Sequence, residues 1–165
     1  MNQIFNTAAV RASGIGADQA LAVALSGRED ILTMTQQAHD AALIPEKFGG
    51  FSHAERAALS CRMARLNCEE GLAEHFFAML RDTQKEVIRM ADPDFNGHGD
   101  VRLAAILRHT DLVTTNVKAA VASDIAALTD AGVSEDDIVR LSELIAFVSY
   151  QIRLTVGLRL MGNAL

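Results

Sequence analysis

The chain is poor in cysteine, proline and positive charge. Its 165 residues include two Cys and two Pro, and 15 Lys and Arg stand against 21 Asp and Glu, a formal charge of −6. Two thiols, Cys61 and Cys68, are too few for a disulfide framework and suit a reducing compartment. Nucleic acid and anionic membrane surfaces both select a basic excess, so neither is an expected partner. Long apolar runs are missing too. The longest stretch without Asp, Glu, Lys or Arg is Met1 to Val10, and a spanning helix needs about 18 such residues. The start lacks a basic region followed by an apolar core and a cleavage site, so the expected location is cytoplasmic.

What is present is ordinary globular composition, 50% apolar and 22% charged. A chain of this length forms one domain with a core that needs no staple. Ala and Leu are abundant, and Val, Ile or Thr alternating with polar residues are rare, which predicts an all-α fold. Residues 1–17 carry Gly14 and Gly16 without a clear period and read as a loose arm; residues 18–165 form the domain. The Gly-Ile-Gly lacks the preceding strand and third glycine of a phosphate loop.

Asp18 is placed to cap a helix through Leu25. Ser26 with Glu29, and Ser52 with Glu55, have capping-box spacing. The helix after Ser26 should stop before Pro45. Asn67 interrupts the helix that follows Ser52, and helical spacing restarts over 69–90. Residues 91–100, ADPDFNGHGD, form a loop; Val101 to His109 is a short helix and 111–118 is ambiguous. Ser123-Asp124 can cap a helix through Asp130, with Gly132 as its C-terminal stop. Ser134 and Asp137 then open a last helix over about 135–161, with Ile138, Leu141, Leu144, Ile145, Val148 and Ile152 in one stripe. Its end, Leu154 to Met161, is apolar on more than one side, the pattern of a helix covered all round.

Cys68 is the first candidate for chemistry, because it falls where one helix ends and the next begins, and a helix N-terminus acidifies a thiol. His75 is two turns on, about 10 Å along a helix, too far to deprotonate Cys68 directly. The position between them, 71, is Gly. The bland alternative is a buried Cys68 packed as a small hydrophobe and a core or subunit-contact His75 beside Phe76 and Phe77.

The segment SHAERAALSCRMARLNCEEGLAEHF, Ser52 to Phe76, resembles the core of the carboxymuconolactone decarboxylase and alkylhydroperoxidase AhpD-like superfamily. That core reads Glu, eleven residues, Cys-x-x-Cys-x-x-x-His. Cys68 falls on the first cysteine and His75 on the histidine; Gly71 falls on the second cysteine, and Arg56, next to Glu55, on the glutamate. The C-terminal half, with Gly132, Ser134, Phe147, Arg153 and Gly157, is similar to uncharacterised members of the group, so the resemblance spans roughly residues 20–162. It implies a helical bundle of about seven or eight helices, a homo-oligomer, no cofactor and peroxidase-related antioxidant chemistry. Cys68 and His75 would be the catalytic pair, and Arg56 and Gly71 would lie at the substrate. Without a thiol at 71 the internal disulfide relay is broken, and Cys68 would need an external thiol reductant. Two other outcomes stay open: a non-redox relative that binds a small ligand or an active paralogue, and a decarboxylase using His75 with Arg56, Arg62 and Arg65. Charges at helical spacing otherwise read as a solvated face.

A Cys61–Cys68 bridge would need a sharp turn at Asn67, and Cys61 reads as core. Asp92, Asp94, Asn96, Gly97 and Asp100 mimic a calcium loop, but Leu103 stands where the clamping acid belongs, leaving a turn capped by its own side chains. No histidine pair has helical zinc spacing. Arg153, amid apolar neighbours, is read as a buried ion pair, a subunit contact or a snorkelling side chain.

Overall fold

Helix α4, His53–Leu66, is the axis of the molecule. Every residue from Arg56 to Ala64 is buried, so the helix is covered on all sides. Ala57, Ala58, Ser60 and Ala64 keep it thin enough for neighbours to approach closely. The computed structural model describes residues 3–164, and among them there is no strand: nine α-helices and two 3-10 turns make an all-α fold. The others are α1 Ala8–Ser13, α2 Leu21–Ser26, α3 Glu29–Leu43, α5 Glu70–Ala78, α6 Lys85–Arg89, α7 Val101–Asn116, α8 Ala122–Asp130 and α9 Glu135–Asn163. Helices α3, α5, α6, α7 and α9 all contact α4.

Local signals set the main boundaries. Ser52 Oγ accepts from the Glu55 amide at 3.2 Å and Glu55 Oε2 accepts from the Ser52 amide at 2.8 Å, the reciprocal box that starts α4. Gly132 stands at φ 82° after α8, and the Asp137 amide donates to Ser134 Oγ at 3.2 Å at the start of α9. The predicted stripe of α9 from Ile138 to Ile152 is buried, each such side chain contributing about 1.5–3 kcal/mol. Beyond it Thr155 and Leu158 are covered within the chain, while Val156, Leu160 and Met161 are exposed. By length and composition α9 could cross a membrane, a test that core helices also pass.

Four expectations are corrected. The loose arm is instead structured over its described residues: Ile4, Val10 and Ile15 join Leu21, Leu25, Leu32 and Leu158 in a second, smaller core, and α1 lies on α5 and α9. Ser26 does not cap α3; it ends α2 and donates to the Ala22 carbonyl at 2.9 Å, a bond back to i−4. The 69–90 stretch is two helices, α5 and α6, parted at a left-handed Asp82 (φ 62°). The 101–118 region is one helix, α7, through Asn116, opened by Asp100.

Candidate functional site

The turn from α4 to α5 places Cys68. The Cys68 amide donates to the Arg65 carbonyl at 3.0 Å, and its φ of 54° puts it in the left-handed region. Cys68 is exposed and precedes the cap residue Glu69, so it stands just outside α5 instead of in its first turn. Glu69 points the other way. It is 1% exposed and receives the Arg159 guanidinium at 2.6 and 2.8 Å. The same guanidinium donates to the Ala12 carbonyl at 2.9 Å, tying the end of α1 to the start of α5.

Gly71 lies under that tie. A β-carbon built on it would overlap the Ala12 carbonyl oxygen, so only glycine lets α1 rest this close. Backbone of α1 therefore occupies the space that a side chain at position 71 would need.

His75, one turn further, meets a partner that the spacing did not show. Its Nε2 is 3.2 Å from Nε2 of His39 on α3, and His39 Nδ1 is 3.1 Å from Gln151 Oε1 on α9. Phe76 stacks on the His39 ring, and Phe147 meets it edge-on. Burial lowers the proton affinity of both imidazoles. For His75 the fall is to about 4, with His39 and Arg11 adding repulsion; for His39 the bond to Gln151 offsets part of it. Both rings are therefore neutral near pH 7. The amide oxygen of Gln151 can only accept, which fixes the proton on His39 Nδ1. His39 Nε2 then accepts from His75 Nε2–H, and His75 Nδ1 keeps its lone pair.

A cleft of about 470 Å³ opens beside this pair, between α1 and α5. Arg11, Glu74 and His75 supply its polar groups, and Gly71, Ala8 and Ala12 part of its wall. Gly71 and His75 thus share one cleft. Cys68 and Arg56 do not line it. Arg56 is buried and donates to the carbonyls of Phe51, Ala42 and Phe48 at 3.0–3.2 Å, locking the turn before α4.

The other expected groups are engaged elsewhere. Arg62, read as part of a solvated face, is 2% exposed. It is bidentate to Asp111 at 2.5 and 2.6 Å and donates to the carbonyls of Asp92, Pro93 and Phe95. Arg65 donates to the Ala91 carbonyl at 2.8 Å. A guanidinium thus holds the inward carbonyls of the 91–100 loop, and Asp92 and Asn96 cap the amides of Asp94 and His98. Among the described residues no group of three or more His, Cys, Asp or Glu could hold a metal. Cys61 is buried against the Ala73 carbonyl, and burial pushes its thiol pKa up. Comparison of the chain with protein-family models, curated proteins and solved structures gives no match in any of the three.

Proposed function

We propose that the chain is an AhpD-related, non-redox protein that binds a small polar carboxylate in the cleft beside His75. The observation that carries this reading is the neutral His75–His39–Gln151 relay opening on a cleft that also holds Arg11. Arg11 would pair with the carboxylate, and His75 Nδ1 would accept from a ligand hydroxyl or N–H group. Gly71, closed by Ala12, speaks against a two-thiol peroxide cycle, and the engaged Arg56, Arg62 and Arg65 speak against a decarboxylase that uses them. As part of the same proposal the chain forms a homo-oligomer through the exposed end of α9, with Val156, Leu160 and Met161 in the contact.

The test is an NMR titration of the His75 ring with lactate. Arg11 helps to hold the His75 pKa down, so a carboxylate seated on Arg11 is expected to raise it, and Arg11→Ala to abolish the response. An unmoved His75 at saturating lactate refutes the reading. A second reading, a one-cysteine peroxide reductase recycled by an external thiol, is favoured by the exposure of Cys68. It requires a Cys68 sulfenate after hydrogen peroxide and loss of peroxide consumption in Cys68→Ser.

A further inference from the structure

On the far side of α9 from the N-terminal helices, α7, α8 and α9 enclose a second cleft of about 510 Å³. It shares no lining residue with the first. Its walls are apolar, with Val113 and Val117 from α7 and the turn after it, Ile125 from α8, and Ile145 and Ala146 from α9. That volume is typical of small-molecule sites, which are mostly apolar with a few fixed polar groups.

Two such groups are present. His109 is 5% exposed and lines the cleft, and its Nδ1 is buried with no hydrogen-bond partner. Buried polar atoms are rarely left this way, but Nδ1 has no accessible surface, so it is the neutral ring of His109, and not this nitrogen, that faces the cleft. Burial also lowers its proton affinity, with Asp124 opposing and Arg108 adding to the fall, so the ring is neutral near pH 7. The second group is Arg153. It is exposed, it donates to the Ser149 carbonyl at 3.2 Å, and no described carboxylate forms an ion pair with it. Arg153 borders an adjoining pocket with Thr114 and Ser149, so it marks the Thr114 end of the cleft. His109 is five residues back along α7, about 7.5 Å at the helical rise. Cation and imidazole therefore lie at separated points along an apolar trough.

We propose that this cleft binds a short-chain apolar carboxylate. The carboxylate sits on Arg153, the chain lies along Val113, Ile125 and Ile145, and His109 faces its body. The apolar wall excludes strongly hydrated dianions, and a guanidinium without a carboxylate partner selects an acid over an alcohol or an amine.

The experiment is calorimetric titration of the full chain with octanoate, beside 1-octanol and octylamine. Saturable octanoate binding is expected, with both controls weaker by about tenfold or more, the usual value of one charge-assisted bond. Arg153→Gln should weaken octanoate by a similar factor. Ala146→Phe, at an exposed helix position that fills the trough, should abolish binding while circular dichroism and melting stay close to the parent. Arg11→Ala should leave octanoate binding unchanged, which separates this site from the lactate site. No saturable octanoate binding overturns the proposal. So does equal affinity for 1-octanol, retention of binding in both Arg153→Gln and Ala146→Phe, or its loss in Arg11→Ala. Concentration-dependent dimerisation that Ala146→Phe abolishes would assign the trough to a second copy and overturn it as well.

Discussion

Cys68 and His75 are seven residues apart, on either side of Gly71, yet the fold gives them opposite surroundings. Cys68 stands in solvent on a left-handed turn, outside the helix that follows. His75 is partly covered, bonded to a second imidazole and open to a cleft. Between them α1 presses its Ala12 carbonyl onto Gly71 while Arg159 clamps that carbonyl and Glu69 together. What distinguishes the two halves is the arrival of α1. The segment is a seam between helices on one side and the wall of a cleft on the other.

The sharpest way to break the comparison is Gly71→Cys, which puts a second cysteine three residues after Cys68. In an unobstructed helix, replacing glycine by cysteine gains about 0.3 kcal/mol from propensity. Here the β-carbon would meet backbone, which cannot move aside as a side-chain tip would. Displacing α1 also costs the bond from Arg159 to Ala12. A net loss of about 3 kcal/mol is expected, read from urea unfolding. A variant as stable as the parent would show that α1 does not set the boundary between the two halves.

Acid should sharpen the same contrast on the histidine side. The ordinary imidazole value is 6.5, and that of His75 in the folded chain is about 4. Between those values the unfolded chain binds a proton that the folded chain refuses. Stability therefore falls as pH drops through 6.5, and the contribution is fully present only above it. His39 shifts in the same direction, and Arg11 on α1 and Asp40 on α3 are the charges that bear on His75. The loss by pH 5 is expected to reach about 1 kcal/mol, half of the full linkage value because the ring is partly exposed. The measurement is unfolding free energy at pH 7 and pH 5, in the parent and in His75→Phe. An equal slope in both would remove His75 as a source of acid sensitivity.

How much of this was legible in the sequence depended on range. The caps at Ser52 and Ser134, the stop at Gly132 and the stripe of α9 are signals within a few residues, and each appears where expected. The N-terminal helix was not legible, because six residues rich in Ala show no period and its burial comes from α5 and α9 far along the chain. Arg56 read as a residue at the substrate and Arg62 as a solvated charge, since nothing local reveals that distant carbonyls and Asp111 will surround them. His39 looked isolated because His75 is 36 residues away. One local signal was there: His39 follows Thr35 and precedes Leu43 by four, on the buried face of α3.

The smallest expected effect lies at Cys68. A non-glycine residue at φ 54° costs about 1–2 kcal/mol of conformational energy, and glycine escapes that cost while losing more chain entropy on folding. The two nearly cancel, so Cys68→Gly should raise stability by only about 0.5 kcal/mol. Because Cys68 does not line the His75 cleft, the lactate response of the His75 ring should be unchanged in this variant. Both readings come from one labelled sample, by urea unfolding and ring-proton titration. If the substitution alters the His75 response, the thiol and the imidazole are coupled across Gly71, and the two halves of the motif still act together.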